Sequence, residues 1–125
     1  LYIAENEGKK YFIIPMVGKG LWGPIWGFVA IEDDKASIYG ATFNHKGETP
    51  GLGAEIATPA FQSQFDEGVV IQDGGSFKEI AVQKPGKGKP NSVDGITGGT
   101  ITSKGVEEML NRTLQVYVKY FNKSK

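Results

Sequence analysis

Ser103-Lys104-Gly105-Val106-Glu107-Glu108-Met109-Leu110-Asn111-Arg112-Thr113-Leu114-Gln115-Val116-Tyr117-Val118-Lys119-Tyr120-Phe121 carries one apolar stripe. Val106, Leu110, Leu114, Tyr117 and Phe121 recur at steps of 4, 4, 3 and 4. That period belongs to an amphipathic α-helix. Ser103 is placed to cap it, and Glu107 and Glu108 would favour its positive first turn. Gly105 near the start costs about 1 kcal/mol relative to Ala. A helix from Ser103 to Phe121 is about 28 Å long, enough to brace one face of a sheet.

Upstream the period changes. Tyr11-Phe12-Ile13-Ile14-Pro15-Met16-Val17 is bulky and partly β-branched, with Pro15 marking an edge or a bulge. Ile25–Ile31 follows, and Ala36–Phe43 alternates small or polar residues with larger ones. Glu32-Asp33-Asp34-Lys35 between them reads as a hairpin loop, so the two strands should pair antiparallel. Lys78–Gln83 is a further strand, and Lys84-Pro85-Gly86-Lys87-Gly88-Lys89-Pro90-Asn91 an exposed basic turn. A shorter helix is expected within Ala54–Phe65, beginning near Thr58-Pro59 with proline at the first helical position. Strands first and a helix last predict an α+β fold, a mainly antiparallel sheet packed with a long C-terminal helix and a shorter one. At 125 residues the chain reads as one domain, 1–125.

Composition excludes several classes. Fourteen Lys and Arg balance fourteen Asp and Glu, which argues against nucleic acid or an anionic membrane as the main partner. The absence of cysteine rules out disulfides, Cys-ligated zinc, Cys-ligated iron–sulfur clusters and thiol catalysis. Hydrophobic residues make up 39% of the chain, which suits a packed core rather than a disordered segment. The apolar stretches Ile13–Val17 and Phe28–Ile31 are too short to span a bilayer. A start at Leu1 rather than Met leads us to expect a cut or processed chain.

Some patterns are decoys. Gly18-Lys19-Gly20-Leu21-Trp22-Gly23 matches G-x-G-x-x-G, yet the dinucleotide motif needs a helix to begin there. Pro24, Trp26, Gly27 and Val29 follow instead, so the glycines read as a loop between strands. His45, the only imidazole, would have to carry any histidine-based triad or metal site alone, and no Gly-x-Ser-x-Gly elbow exists. It reads as a surface-loop residue, and neither a catalytic residue nor a metal site is expected. Asp33-Asp34 lacks the further ligands of a calcium loop. Asn111-Arg112-Thr113 and Asn122-Lys123-Ser124 match the glycosylation pattern by chance, on a helix or its end.

Two loops are less ordinary. Asp94-Gly95-Ile96-Thr97-Gly98-Gly99-Thr100-Ile101-Thr102-Ser103 places four hydroxyl side chains and three glycines just before the helix. A capped helix start needs one or two hydroxyls. The alternative is an anion site, where main-chain N–H groups, hydroxyls and the helix N-terminus converge, with Lys104 adding charge. His45-Lys46-Gly47-Glu48-Thr49-Pro50-Gly51-Leu52-Gly53-Ala54-Glu55 contains the type II turn pair Pro50-Gly51. It is either a plain tight turn or one face of a site for a flat, partly polar ligand, with Leu52 held at the tip.

Taken in order, Glu48-Thr49-Pro50-Gly51-Leu52-Gly53 and then Asp94-x-x-Thr97-Gly98-Gly99-Thr100 resemble the FMN-binding domain family. Gly18-x-Gly20-Leu21-Trp22 before Pro24-Ile25-Trp26-Gly27 is similar to the branch found in sodium-translocating NADH:quinone reductases. The resemblance runs from about Gly18 to Val106. It implies that FMN is attached by a phosphoester to the last threonine of Asp-x-x-Ser/Thr-Gly-Ala-Thr, from FAD, by a separate flavin transferase. Carried over, Thr100 is the acceptor, Asp94, Thr97 and Gly98 fill the recognition positions, and Gly99 stands where the family usually has alanine. Trp22, Glu48, Thr49, Leu52 and Gly53 would hold the flavin ring, with Ser103 among the hydroxyls at the phosphate end.

The function so implied is that of an electron-carrying subunit in a membrane oxidoreductase, not a catalyst by itself. Electrons would come from an iron–sulfur centre and pass to another covalent FMN in a neighbouring subunit. Other implied features are an N-terminal transmembrane helix and a place on the periplasmic face of a bacterial inner membrane. The partners would be the other reductase subunits and the transferase. An Rnf-type electron-transport subunit or a stand-alone flavin reductase domain would share both loops. A non-redox module for a sugar phosphate or other anion would share only the hydroxyl-rich one.

Overall fold

Period-two burial sets the sheet. The computed structural model describes residues 1–86 and 89–123, which leaves Lys87 and Gly88 of the basic turn, and Ser124 of the second glycosylation pattern, outside the described residues. Strands β1 (Tyr2–Asn6), β2 (Lys9–Lys19), β3 (Pro24–Ile31) and β4 (Ile38–His45) form an antiparallel sheet in the order β1-β2-β3-β4. Phe12, Ile14 and Met16 of β2, with Ile25, Val29 and Ile31 of β3, are buried on one face. The register sets Ile14 against Val29 and Val29 against Ala41.

Both expected hairpin strands pair as the sequence predicts, but β4 begins later, at Ile38. Asp34 is the reason. Its carboxylate accepts from the Ala36 and Ser37 amides at 2.9 and 2.8 Å and from the Ser37 hydroxyl at 2.6 Å, and Ser37 bridges antiparallel to Val70 instead of continuing the pairing with β3. Strand β1 has no counterpart in the sequence reading. All five of its residues are exposed, so no alternation betrays it.

The shorter helix is broken into three pieces: 3₁₀ turns at Gly53–Ala57 and Ser63–Asp66 flank α1 (Pro59–Gln62). Pro59 opens α1 as expected, and Thr58 caps it, accepting from the Phe61 amide at 3.4 Å. The extended backbone of Thr58 and the missing N–H of Pro59 interrupt any continuous helix. Phe61 and Phe65 stack around Phe43 beneath β4, with ring centroids 5.7 and 5.3 Å away.

Two small ribbons complete the strands: β5 (Gln72–Asp73) with β6 (Ser76–Phe77), antiparallel, and β7 (Ala81–Gln83) with β8 (Ser92–Asp94), parallel. The strand expected over Lys78–Gln83 is thus cut to its second half. Asn111 replaces a strand neighbour for Ile80, accepting its amide and donating to its carbonyl, each at 2.9 Å.

Helix α2 (Thr100–Lys123) starts three residues before Ser103, so the expected cap is corrected. The Ser103 amide already donates to the Gly99 carbonyl at 2.9 Å, a bond of the first helical turn. Its hydroxyl instead accepts from the Ile96 amide at 2.9 Å. Glu107 and Glu108 therefore lie beyond the first turn. Glu107 accepts from the Val82 amide at 2.9 Å, and Glu108 pairs with Arg112 at 2.7 Å. The stripe buries Val106, Leu110, Leu114 and Phe121 against the sheet, with Met109 and Val118 added and Tyr117 half-buried.

The helix approaches the end of β2 at Gly105, where a Cβ would collide with the Lys19 carbonyl oxygen. Gly105→Ala should therefore destabilise the fold by about 1–3 kcal/mol, although alanine is the better helix former by about 1 kcal/mol. Urea unfolding measures this. A stabilised alanine variant would mean that the helix–strand contact is looser than described.

Candidate functional site

Loop Gly20–Gly23, the turn after β4 and the start of α2 meet at one end of the sheet. After His45 the chain turns at Thr49-Pro50-Gly51-Leu52. The Leu52 amide donates to the Thr49 carbonyl at 3.0 Å, and Gly51 has φ +78°, the geometry of a type II turn. Leu52 stands exposed at its tip. His45 anchors the loop: its Nδ1 accepts from the Glu48 amide at 3.0 Å.

Glu48 is the centre of the site. The residue is only 4% exposed, and its carboxylate is satisfied by the chain itself. Oε1 accepts from the Leu21 amide and Oε2 from the Trp22 amide, both at 2.9 Å. The Thr102 hydroxyl donates a short bond to Oε1. Burial pushes this carboxyl's pKa up. The Thr102 hydroxyl and the backbone N–H groups of Trp22, Leu21 and Gly23 outweigh burial and hold it below the usual carboxylate range. A fixed negative charge thus joins three segments far apart in sequence. Glycine makes the closure possible, since a Cβ at Gly53 would collide with the Thr102 hydroxyl.

Trp22, Glu48, Thr49, Leu52, Gly53, Gly98, Gly99 and Thr100, all singled out from sequence, line one cavity of about 220 Å³. Leu21, Ile101 and Thr102 complete its wall. Ile101 has no signal in the sequence. Thr102 has one, the surplus of hydroxyls before the helix, but nothing local points it at Glu48. Gly98 has φ +79°, a left-handed backbone that strains any other residue, and a Cβ there would also push aside the exposed tip of Leu52, 2.7 Å away at Cδ2. The Cβ of an alanine at 99 would stand 3.1 Å from Ile96 Cβ and 3.2 Å from the Gly53 backbone nitrogen, which asks a small shift of both neighbours.

Three of the singled-out residues lie outside this cavity. The Asp94 carboxylate accepts from the Gly86 amide at 3.4 Å, while its main chain clasps the Gln64 carboxamide at 2.8 and 3.0 Å. Thr97 is exposed and Ser103 buried, and both face a second cavity on the other side of Gly98 and Thr100. Thr100, the first residue of α2, is exposed and borders both cavities, whereas Thr102 is 2% exposed with its hydroxyl engaged. Among the described residues no cluster of His, Cys, Asp or Glu is disposed to hold a metal ion, and no helix is long and apolar enough to cross a membrane.

The site combines aromatic and aliphatic walls, a buried anion, a glycine cradle and one free hydroxyl at a helix N-terminus. Such a cavity fits a flat ring, and such a helix end fits a phosphate.

Known proteins resemble this chain over most of its length. It is 39% identical over 130 residues to NqrC, a component of the Na(+)-translocating NADH-quinone reductase, from Neisseria meningitidis serogroup B, with all of this chain and 50% of that protein aligned. The Yersinia pestis counterpart is 35% identical over 115 residues, covering 89% of this chain and 43% of that protein. The chain thus spans about half the length of the curated relatives it matches.

The crystal structure of the same reductase component from Parabacteroides distasonis superposes with a TM-score of 0.88 at 52% identity, covering 94% of this chain and 60% of the other. NqrC from Shewanella oneidensis gives 0.73 at 30% identity, covering 94% and 58%. The sequence pattern of the FMN-binding domain matches residues 20–115, which hold the cavity and strands β3 and β4, and by that match the chain belongs to the FMN-binding domain family.

Proposed function

We propose that residues 1–125 act as one FMN-bearing domain, that Thr100 carries the FMN through a phosphoester, and that the domain serves as an electron carrier in a sodium-translocating NADH:quinone reductase. One observation supports this most directly. Of the hydroxyls on the cavity wall near the start of α2, Thr100 is exposed and Thr102 is sealed against Glu48. A phosphate on Thr100 would sit at the helix N-terminus, where negative charge is favoured by about 0.3–1 kcal/mol.

When bound, FMN supplies the redox chemistry. The chain's part is attachment, orientation and exclusion of water. The tether fixes only the phosphate end, so the ring relies on Trp22, Leu52, Thr49 and Gly53 around the smaller cavity. Glu48 holds Trp22 by its main chain and Thr102 by its hydroxyl, and thereby fixes two walls together. A threonine hydroxyl is a weak nucleophile. Activation therefore falls to a separate transferase working from FAD, and the bare Gly98-Gly99 approach leaves it room.

The names of the relatives, which place them in a Na(+)-translocating NADH-quinone reductase, favour that complex over an Rnf-type system. The other proteins of the complex are then its partners. A bacterial inner membrane, with this domain on the periplasmic face and an anchor helix elsewhere in the protein, is its place.

Coexpression with a flavin transferase tests the attachment. Intact mass under denaturing conditions should rise by one FMN less one water, and peptide mapping should put the increment within residues 94–103. Flavin lost on denaturation, or an unmodified 94–103 peptide, would overturn the assignment.

A further inference from the structure

The face of the sheet turned away from α2 carries no charge across its middle. In β2, β3 and β4 the residues that alternate with the buried ones point outward. The register puts Pro15, Phe28 and Thr42 in one row across this face and Val17, Trp26 and Asn44 in the next. Val17 is 68% exposed and Phe28 45%. Near the β3–β4 turn the rings of Tyr11 and Tyr39 add to the field, 4.5 Å apart. Among the described residues, charge appears at its border, with Lys9 and Lys19 at the two ends of β2 and Glu32 just past β3. An antiparallel sheet with one wet face carries polar side chains there. A continuous uncharged field of aromatic and aliphatic groups marks a contact surface instead. None of these residues lines the flavin cavity, so the field serves something else.

Strand β1 is unfinished in the same sense. It bares Tyr2 on this face and Ile3 on the other, and among the described residues its outer edge pairs with no strand. Of the usual guards of a bare edge it has one charge, Glu5, and neither a proline nor a bulge.

Lipid, a second copy or more of the same polypeptide would each bury such a field. Lipid docking draws on a cationic surround, which two lysines at opposite ends and a nearby acid do not supply. The crystallised relatives from Parabacteroides distasonis and Shewanella oneidensis share this fold, yet the match takes in 60% and 58% of their chains, so about two-fifths of each lies outside it. Four strands span about 15 Å from first to last, a distance that a helix of about 10 residues covers. A linked segment also meets the sheet at high effective concentration in every copy, as a free partner does not.

We propose that the outer face of the β1–β4 sheet is an internal interface of the whole protein, covered by a further stretch of the same polypeptide outside residues 1–125. That stretch is amphipathic, apolar toward Val17, Phe28 and Tyr39 and polar toward water. Nothing in this depends on where flavin is attached.

The test uses the whole protein as its cell makes it, purified free of other proteins and shown monomeric by sedimentation. Carbene footprinting read by mass spectrometry reports the exposure of each residue relative to the urea-unfolded protein. Val17, Phe28 and Tyr39, bare at 68, 45 and 52% in residues 1–125, should fall below about a tenth of their unfolded labelling. Phe28→benzoylphenylalanine, and separately Tyr39→benzoylphenylalanine, should on illumination cross-link within one chain to a peptide outside residues 1–125.

Labelling that stays near those three exposures overturns the cover. Cross-links to a second copy overturn the choice of occupant. Protection that appears only on dimerisation, with phosphatidylethanolamine–phosphatidylglycerol vesicles or with other cellular proteins does the same, as does a whole protein with nothing beyond residues 1–125.

Discussion

Thr100→Ala should give a folded chain with no covalent flavin at all, whatever the supply of transferase and FAD. The side chain is exposed, so its loss should change stability by no more than about 0.5 kcal/mol. Thr102→Ala should do the reverse. It keeps the acceptor but removes the donor to buried Glu48, at about 1–3 kcal/mol, while flavin still becomes attached. In-gel fluorescence reads attachment and urea unfolding reads stability. Covalent flavin on the Thr100→Ala variant would move the acceptor elsewhere.

Glu48→Ala should produce the largest loss of stability of any polar substitution at the site. It strands the amides of Leu21 and Trp22 and the hydroxyl of Thr102 around one buried position. Each unsatisfied buried donor is worth about 1–3 kcal/mol, so a total of about 3 kcal/mol or more is expected. Glu48→Gln should lose less, since it keeps one acceptor oxygen but turns an NH₂ toward an amide that needs an acceptor.

The pH dependence separates charge from shape. Burial opposes the charged form, but the surrounding donors prevail and leave the folded-state pKa of Glu48 below its ordinary 4.5. Below that ordinary value the unfolded chain takes up the proton first, so stability rises with pH there. The contribution of Glu48 is complete at neutral pH and is lost as pH falls through the lowered value. The stability gap between the native chain and Glu48→Gln should therefore close in acid. Unfolding curves at pH 7 and at several pH values below 4.5 measure it, and a gap that stays constant would mean that the charge is not what the loop holds.

The parts of the fold legible in the sequence are those whose burial repeats along the chain. The stripe on α2 and the alternation in β2 and β3 are of that kind. Strand β1 shows none, because it is exposed at all five positions, and the two- and three-residue ribbons are too short to show any. The helix start is not legible because Thr100, Thr102 and Ser103 are locally equivalent capping residues. Long-range bonds decide among them, from Ser103 to Ile96 and from Thr102 to Glu48.

The site divides in the same way. Glycines, hydroxyls and the Pro50-Gly51 turn announce themselves within a few residues. That Glu48 turns its oxygens to Leu21, Trp22 and Thr102, across 27, 26 and 54 positions, is a product of the assembled sheet and helix, and no window of sequence contains it.

That long reach has a consequence for biogenesis. A nascent chain still on the ribosome, with α2 in the exit tunnel, has an early hairpin and a Pro-Gly turn but nothing to draw them together. The pocket comes into being only after the start of α2 has emerged, so a pigment installed there would mark molecules in which Leu21, Glu48 and Thr102 have already met.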